Sequence, residues 1–273
     1  MKVLRKVKIK GFKTAVAIGY FDGVHIGHKK VIKKVVDSGF LPVVLTFDYG
    51  NNIPRSKTNI KFITTNSVKF GLFKKLGVKI VVVPYFENVK NIGFMEFFEK
   101  FLVKDLNAKI LVCGKNLRFG RNRIGNINSL KFLASLNDIY VCDIDLVKIK
   151  DEYVSSTRIR NVMKKGDLKF LKKLLGYSYF IEISLSECVC LKEVIYYEIS
   201  KNMAFLRNGC YLVIIKKNCF FCKTVAKIKE YDDYFLLKIY IKDIIFKDFD
   251  NDFIKVIFID NVKFYWFLFC FVL

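Results

Sequence analysis

Residues 14–28 read Thr-Ala-Val-Ala-Ile-Gly-Tyr-Phe-Asp-Gly-Val-His-Ile-Gly-His. The first five are apolar and partly β-branched, the form of a buried strand, and a helical period follows over Lys29 to Asp37. Strand, Gly-rich turn and helix make one βα unit. The order then recurs. Pro42 to Phe47 is a second strand, and Thr65 or Asn66 can cap a helix that runs through Leu76 and stops at Gly77. Lys79 to Val83 is a third strand, Phe94 to Leu106 a helix, and Lys109 to Cys113 a fourth strand. A helix near Ser129 to Leu136 leads to an extended stretch, Ile139 to Val147. Two short helices, Thr157 to Lys165 and Asp167 to Leu175, are separated at Gly166. Repeated βα units imply an α/β domain, a Rossmann-like doubly wound parallel sheet, over residues 1–180.

After Gly176 the texture changes. Ile181 to Cys190, Cys210 to Ile215, Phe220 to Ile228, Tyr234 to Ile245, Phe253 to Ile259 and Val262 to Leu273 are strand-like runs with little helical period. Residues 181–273 are therefore a smaller, β-rich, barrel-like domain. Two domains suit 273 residues, and 53% hydrophobic with 27% charged side chains excludes collagen, disorder and disulfide mini-scaffolds.

The chain has 48 Lys+Arg against 25 Asp+Glu, formally +23. The excess is local: residues 1–180 hold 35 basic and 13 acidic side chains, which leaves 13 and 12 for residues 181–273. A composition rich in Lys, Phe, Ile and Asn accounts for this as well as an electrostatic funnel for nucleotides or nucleic acid does. Eight Cys are scattered among apolar neighbours, and MKVLRKVKIKGF lacks the apolar core of a secretion signal. A cytoplasmic protein with reduced thiols is expected. The longest uncharged apolar run, Phe264 to Leu273, is about half the ~20 residues a spanning helix needs, so no membrane partner is expected.

Both histidines of the chain, His25 and His28, lie between the first strand and the first helix. Ligands of open α/β sheets bind beyond the carboxyl ends of the strands, where a helix N-terminus favours phosphate. Two imidazoles three residues apart would share a helical face and could donate to a phosphate gaining charge. A metal reading of the pair is weak, only two ligands being offered locally with Asp22 as a possible third, and no metal-ligating residue is assigned.

Gly19-Tyr20-Phe21-Asp22-Gly23-Val24-His25-Ile26-Gly27-His28 resembles the GxFDGVHxGH signature of bacterial FAD synthetases, the FMN adenylyltransferase half of bifunctional riboflavin kinases. Three further blocks occur in the family's order. They are Leu45-Thr46-Phe47, the run Val112-Cys113-Gly114-Lys115-Asn116-Leu117-Arg118-Phe119-Gly120, which resembles VGxNFRFG, and Val154-Ser155-Ser156-Thr157-Arg158-Ile159-Arg160, which resembles ISSTRIR. The resemblance covers Thr14 to Gly176 and implies a nucleotidyltransferase-type sheet. It also implies transfer of AMP from ATP to FMN, with Mg²⁺ accompanying the ATP, to give FAD and pyrophosphate. His25, His28 and Arg160 would then act on the phosphates. Gly19, Phe21, Asp22 and Gly23 would shape the nucleotide pocket, Ser155, Ser156 and Thr157 would hold ATP, and Asn116, Arg118 and Phe119 would lie at the flavin side. Each block also has a plain structural reading: Ser155 and its neighbours as a helix cap, Phe119 as core, Arg118 as a solvated charge.

Two departures stand out. Asp48-Tyr49-Gly50-Asn51-Asn52 replaces the family's Pro-His-Pro turn, and Leu117 stands at an aromatic position. In the family the second domain is the riboflavin kinase, marked by a Gly-rich loop and a Pro-Thr-Ala-Asn motif. Residues 181–273 contain no proline, and Gly209 is their only glycine. A degenerate barrel without kinase activity is expected. Cys188-x-Cys190 with Cys219-x-x-Cys222 offers a four-thiolate zinc site, against which free thiols buried in strands are the plainer expectation. Two rivals to AMP transfer onto FMN stay open: a nucleotidyltransferase for another phosphorylated acceptor, and a non-catalytic flavin- or RNA-binding relative. No recognised RNA motif supports the last. Oligomeric state is not legible.

Overall fold

The computed structural model describes residues 1–48, 61–191, 193–218, 220–241 and 253–262. By its contacts the chain forms two compact units, Met1–Asn59 with Lys69–Val154, and Ile60–Val68 with Ser155–Leu273. The sequence reading keeps residues 1–180 together. The contacts instead group the two short helices near 156–175 with the strands that follow.

In the first unit the elements run β1 (Lys2–Leu4), β2 (Thr14–Ile18), α1 (Ile26–Val36), β3 (Leu41–Leu45), α2 (Asn66–Lys75), β4 (Ile80–Val82), α3 (Phe94–Phe97), β5 (Ala108–Gly114), β6 (Arg118–Phe119), β7 (Gly125–Asn126), α4 (Ile127–Ser135), β8 (Tyr140–Ile144), β9 (Lys148–Ile149) and β10 (Glu152–Tyr153). Six strands form one parallel sheet in the order β1-β4-β3-β2-β5-β8, the expected Rossmann-like arrangement with one added edge strand, β1. All five residues of β2 are buried, because strands covered on both faces need apolar side chains throughout. Val16 and Ile18 pack with Val43, Leu45, Leu111, Phe97, Phe98 and Leu102 in a single core. By the two-residue period of a strand, Ala15 and Ala17 face the opposite side, where α1 lies against β2, β3 and β5 with Val31, Ile32 and Val35 buried.

The helix expected over Phe94 to Leu106 is two-part. After α3 the backbone widens into a π-helix over Phe98–Asp105, and the Leu106 N–H reaches the Phe101 carbonyl at 2.9 Å. The wider turn leaves Phe98, Leu102 and Leu106 fully buried while Phe97 stacks on Phe101 at 5.1 Å.

The second unit contains α5 (Ser156–Lys165), α6 (Leu168–Leu175), β11 (Phe180–Ser184), β12 (Val189–Leu191), β13 (Val194–Ser200), β14 (Gly209–Lys217), β15 (Phe220–Glu230), β16 (Tyr234–Tyr240) and β17 (Phe253–Val262). Its seven strands make one antiparallel sheet, β11-β17-β14-β15-β16-β13-β12, curled into a half-barrel. Gly166, at φ +72°, ends α5, and Leu168, Leu171, Leu174 and Leu175 bury one face of α6. The single strand expected over Ile181 to Cys190 is broken at Leu185–Glu187, where the Ser184 and Ser186 hydroxyls meet at 2.7 Å. Of the expected last strand only Val262 is described; residues 263–273 lie outside the described residues, as do 242–245 of the run from Tyr234.

Candidate active site

The winding of the parallel sheet reverses between β2 and β5, and the crevice at such a switch point is where open α/β sheets hold ligands. The two loops leaving this point are Gly19–His25 after β2 and Lys115–Leu117 after β5. They carry two of the sequence blocks.

The first loop is pinned from below. The Gly19 N–H donates to the Leu45 carbonyl at 3.1 Å, and the Thr46 hydroxyl donates to the Tyr20 carbonyl at 3.0 Å. Thr46, fully buried, thus belongs to the loop's floor. Phe21 and Val24 hold φ of 57° and 37°, a left-handed backbone that costs of order 1–3 kcal/mol in residues with side chains. Both are buried, so packing over-determines the strained turn.

That turn delivers His25 as the N-cap of α1, at φ −68° and ψ 174°. Its Nδ1 accepts the His28 N–H at 3.3 Å. The rings stack with centroids 3.5 Å apart and planes 19° from parallel. Two imidazoles sharing a helical face was the expectation; the structure corrects it, since His25 precedes the helix and only His28 lies in its first turn. Imidazole is outside the usual capping set of Ser, Thr, Asp and Asn, which is why the helix start was placed three residues late. A Cβ on Gly27 would stand 3.2 Å from the His25 ring, so glycine there lets the ring lie over the turn. Phe21 abuts His28 edge-on at 5.2 Å and Phe73 at 5.8 Å. With 3% exposure it props the ring from behind.

His25 is 6% exposed, and burial lowers its pKa to about 4. Burial also holds His28 well below the usual imidazole range, aided by the nearby His25 and Lys69 charges. Both rings are neutral at pH 7. The engaged Nδ1 fixes the His25 tautomer, leaving Nε2–H as its donor. His28 Nδ1 is sealed and has no hydrogen bond among the described residues. A base with a depressed folded pKa lets the unfolded chain take up a proton that the native state refuses, so stability falls as pH drops from 6.5 through 4. At about 1.4 kcal/mol per unit, His25 should contribute a loss of about 3 kcal/mol between pH 7 and 4. His25→Asn keeps a capping acceptor without the titration. Urea unfolding at the two pH values should show wild type losing that much more than the variant, and equal losses would refute the assignment.

Two ionisable side chains near this turn are buried. Asp22 is 3% exposed and Lys69, on α2, is 1% exposed. The Lys69 ammonium lies 4.4 Å from the Tyr20 ring centroid, and burial, offset by Asp22 and Asp48, lowers its pKa to about 8. Sequence reasoning missed this lysine among so many. Asp48, in place of the family's turn, pairs with Arg5 at 2.7 Å, and Arg5 stacks over Tyr85.

Of the residues expected at the flavin side, Asn116 and Arg118 are exposed, while Phe119 is 7% exposed with Phe94 and Phe97 against its ring. Phe119 is a wall of the core. Gly120, at φ +72°, would bring a Cβ to 2.7 Å from the Phe94 backbone, so the close crossing of the two segments requires glycine. Arg121 and Arg123 follow, both exposed.

Ser155, Ser156, Thr157 and Arg160 belong to the second unit. Ser155 is the N-cap of α5, its hydroxyl accepting the Arg158 N–H at 3.2 Å. Ser156 and Thr157 occupy the first turn, with Thr157 exposed. The Arg160 Nε donates to the Lys61 carbonyl at 2.6 Å. This is a helix N-terminus rich in hydroxyls, a form suited to anionic oxygens.

Among the described residues no three His, Cys, Asp or Glu side chains gather as metal ligands. Cys188 and Cys222 are partly buried and Cys190 is exposed, all with free thiols, and Cys219 lies outside the described residues. No described helix is long and apolar enough to cross a membrane.

The FAD synthetase family model matches residues 9–158, more than half of the chain. The chain is 29% identical over 248 residues to a bifunctional riboflavin kinase/FMN adenylyltransferase of Buchnera aphidicola, covering 84% of this chain and 77% of that one. To the protein of the same name from Listeria monocytogenes it is 31% identical over 170 residues, covering 60% of this chain and 54% of the relative, about half its length. A crystal structure of a macrolide-efflux protein from Streptococcus pneumoniae shares the fold, with a TM-score of 0.78 over 96% of this chain and 91% of that chain at 22% identity.

Proposed function

The chain belongs to the FAD synthetase family, and from that premise we propose that it transfers AMP from ATP to FMN, giving FAD and pyrophosphate. The observation that carries this reading is the stacked, neutral histidine pair at the cap of α1, beyond the end of the central strand. An oxygen of the FMN phosphate attacks the α-phosphorus of ATP. The new O–P bond forms as the bond to the β-phosphate oxygen breaks, and pyrophosphate departs with that electron pair. The attacking phosphate is already an anion, so no side chain has to remove a proton. What the chain supplies is alignment and donors for growing charge: His25 through Nε2–H, His28 beside it, and the N-terminal end of α1. Neutral rings suit this role because each nitrogen keeps a fixed assignment as donor or acceptor.

From the family resemblance, Ser155, Ser156, Thr157 and Arg160 are the proposed binders of ATP phosphates. Gly19, Phe21, Asp22 and Gly23 shape the nucleotide pocket, and Asn116 and Arg118 line the flavin side, with Phe119 packed behind them in the core. Mg²⁺ would travel with ATP, held by phosphate oxygens and water as a small hard cation prefers, and it would neutralise charge there. We place adenylyl transfer in residues 1–180, riboflavin kinase activity nowhere, and the enzyme in the cytoplasm.

The test is to incubate the protein with ATP, Mg²⁺ and FMN and to identify the products by chromatography. FAD and pyrophosphate in equal amounts are expected. Consumption of ATP only with another phosphorylated acceptor, such as phosphopantetheine or nicotinamide mononucleotide, would overturn the choice of FMN.

A further inference from the structure

Lys69 is buried on a helix that none of the sequence blocks includes. A lysine at 1% exposure is rare, because an ammonium out of water is costly unless charge or a π-face compensates. Here both do. The Tyr20 ring lies 4.4 Å and the Phe70 ring 5.7 Å from Nζ. Asp22 from the loop after β2 and Asp48 at the end of β3 favour its charged form. The titratable groups around it are thus Asp22, Asp48 and His28, with Arg5 beyond Asp48.

We propose that Lys69 is a positioning residue for adenylyl transfer: its sealed ammonium, set beneath Tyr20 and beside Asp22 and His28, holds the loop Gly19–His28 in the shape that presents both rings to the phosphates. The proposal rests on the AMP-transfer reading. Burial sets Lys69 apart from an ordinary solvated lysine, and the ring and carboxylate partners of its ammonium point to action through neighbours. Asp22 is itself buried, and without the ammonium the loop that carries it loses an electrostatic tie to α2. Consistent with this, the Lys69 charge is one of the influences that keep His28 neutral.

The test uses the full chain and two readouts. In the first, kcat and KM for FAD formation are measured for wild type, Lys69→Met and Lys69→Arg. Lys69→Met should lose about tenfold or more in kcat with KM for FMN little changed, the size of effect that misplaced donors produce, and Lys69→Arg should recover most of it. The second readout needs no turnover. The chain has only two histidines, so their imidazole NMR signals are directly assignable. In wild type, His28 signals should shift as Lys69 loses its proton near pH 8, with no protonation of the ring itself. In Lys69→Met that inflection should vanish and His28 should titrate at a higher pH. Absence of the inflection in wild type overturns the proposal even if the Met variant fails to fold, and so does unchanged kcat in a folded Lys69→Met. Inactive wild type with the inflection present would instead refute the AMP-transfer reading alone.

Discussion

Replacing His28 by alanine should lower the rate of FAD formation by about 10²-fold or more while the protein stays folded. Loss of one preorganised donor at a site of developing charge typically costs 10²–10³ in rate. Here the cost has a second source, since His28 is the stacking partner of His25 at 3.5 Å. Without it the cap ring loses one face and can turn from its donor orientation. The fold should survive because the backbone N–H of residue 28, which His25 Nδ1 accepts, is present in alanine too. Alanine is also a good helix former in the first turn. The measurement is steady-state FAD formation at saturating ATP and FMN, paired with a thermal melt. A folded variant with turnover near wild type would remove the histidine from the mechanism.

Supplied with riboflavin in place of FMN, the protein should form no FMN and hence no FAD, whatever the ATP concentration. The riboflavin kinase that this domain resembles is marked by a Gly-rich loop, whose backbone N–H groups suit ATP phosphates. Residues 181–273 offer Gly209 alone, and its φ of 158° places it in extended backbone at the start of β14. The surrounding strands are well packed: Tyr211, Val213, Ile215, Leu237, Ile239 and Val256 are fully buried, and the Tyr211 hydroxyl donates to the Arg207 carbonyl at 2.7 Å. A β-sheet can keep such a core after the loops that carried chemistry have gone, because packing and loop chemistry depend on different residues. Chromatography of flavins after incubation with riboflavin, ATP and Mg²⁺ is decisive. Steady accumulation of FMN or FAD would contradict the account.

The parallel sheet was legible because β2 to β5 each pair an apolar run with a following helical period, and those patterns come from burial on two faces. Legibility failed where neighbours distant in sequence decide. Strand β13, Val194–Ser200, was read over: Tyr196, Tyr197 and Glu198 interrupt its alternation, and its pairing with β16 is what makes it a strand. The edge strand β1 is three residues long and gains its identity from β4. At the site, the glycines and histidines were visible as a motif, but His25 as a cap and Phe21 as the support of His28 depend on a left-handed turn that spacing does not reveal. Lys69 gave no signal at all: the Tyr20 ring that meets its ammonium lies far away in the chain. Cysteine spacing offered zinc beside the plainer reading of buried thiols, and Cys188 donates to the Ser184 carbonyl at 3.2 Å, a contact within its own turn.

The central claim is that the two imidazoles meet the triphosphate. It is tested most directly by a crystal structure of the protein with a non-hydrolysable ATP analogue. The account expects Nε2 of both His25 and His28 within hydrogen-bond reach, about 2.7–3.2 Å, of phosphate oxygens, with the two rings still stacked. A triphosphate bound elsewhere, or rings that stay turned from it, would contradict the claim.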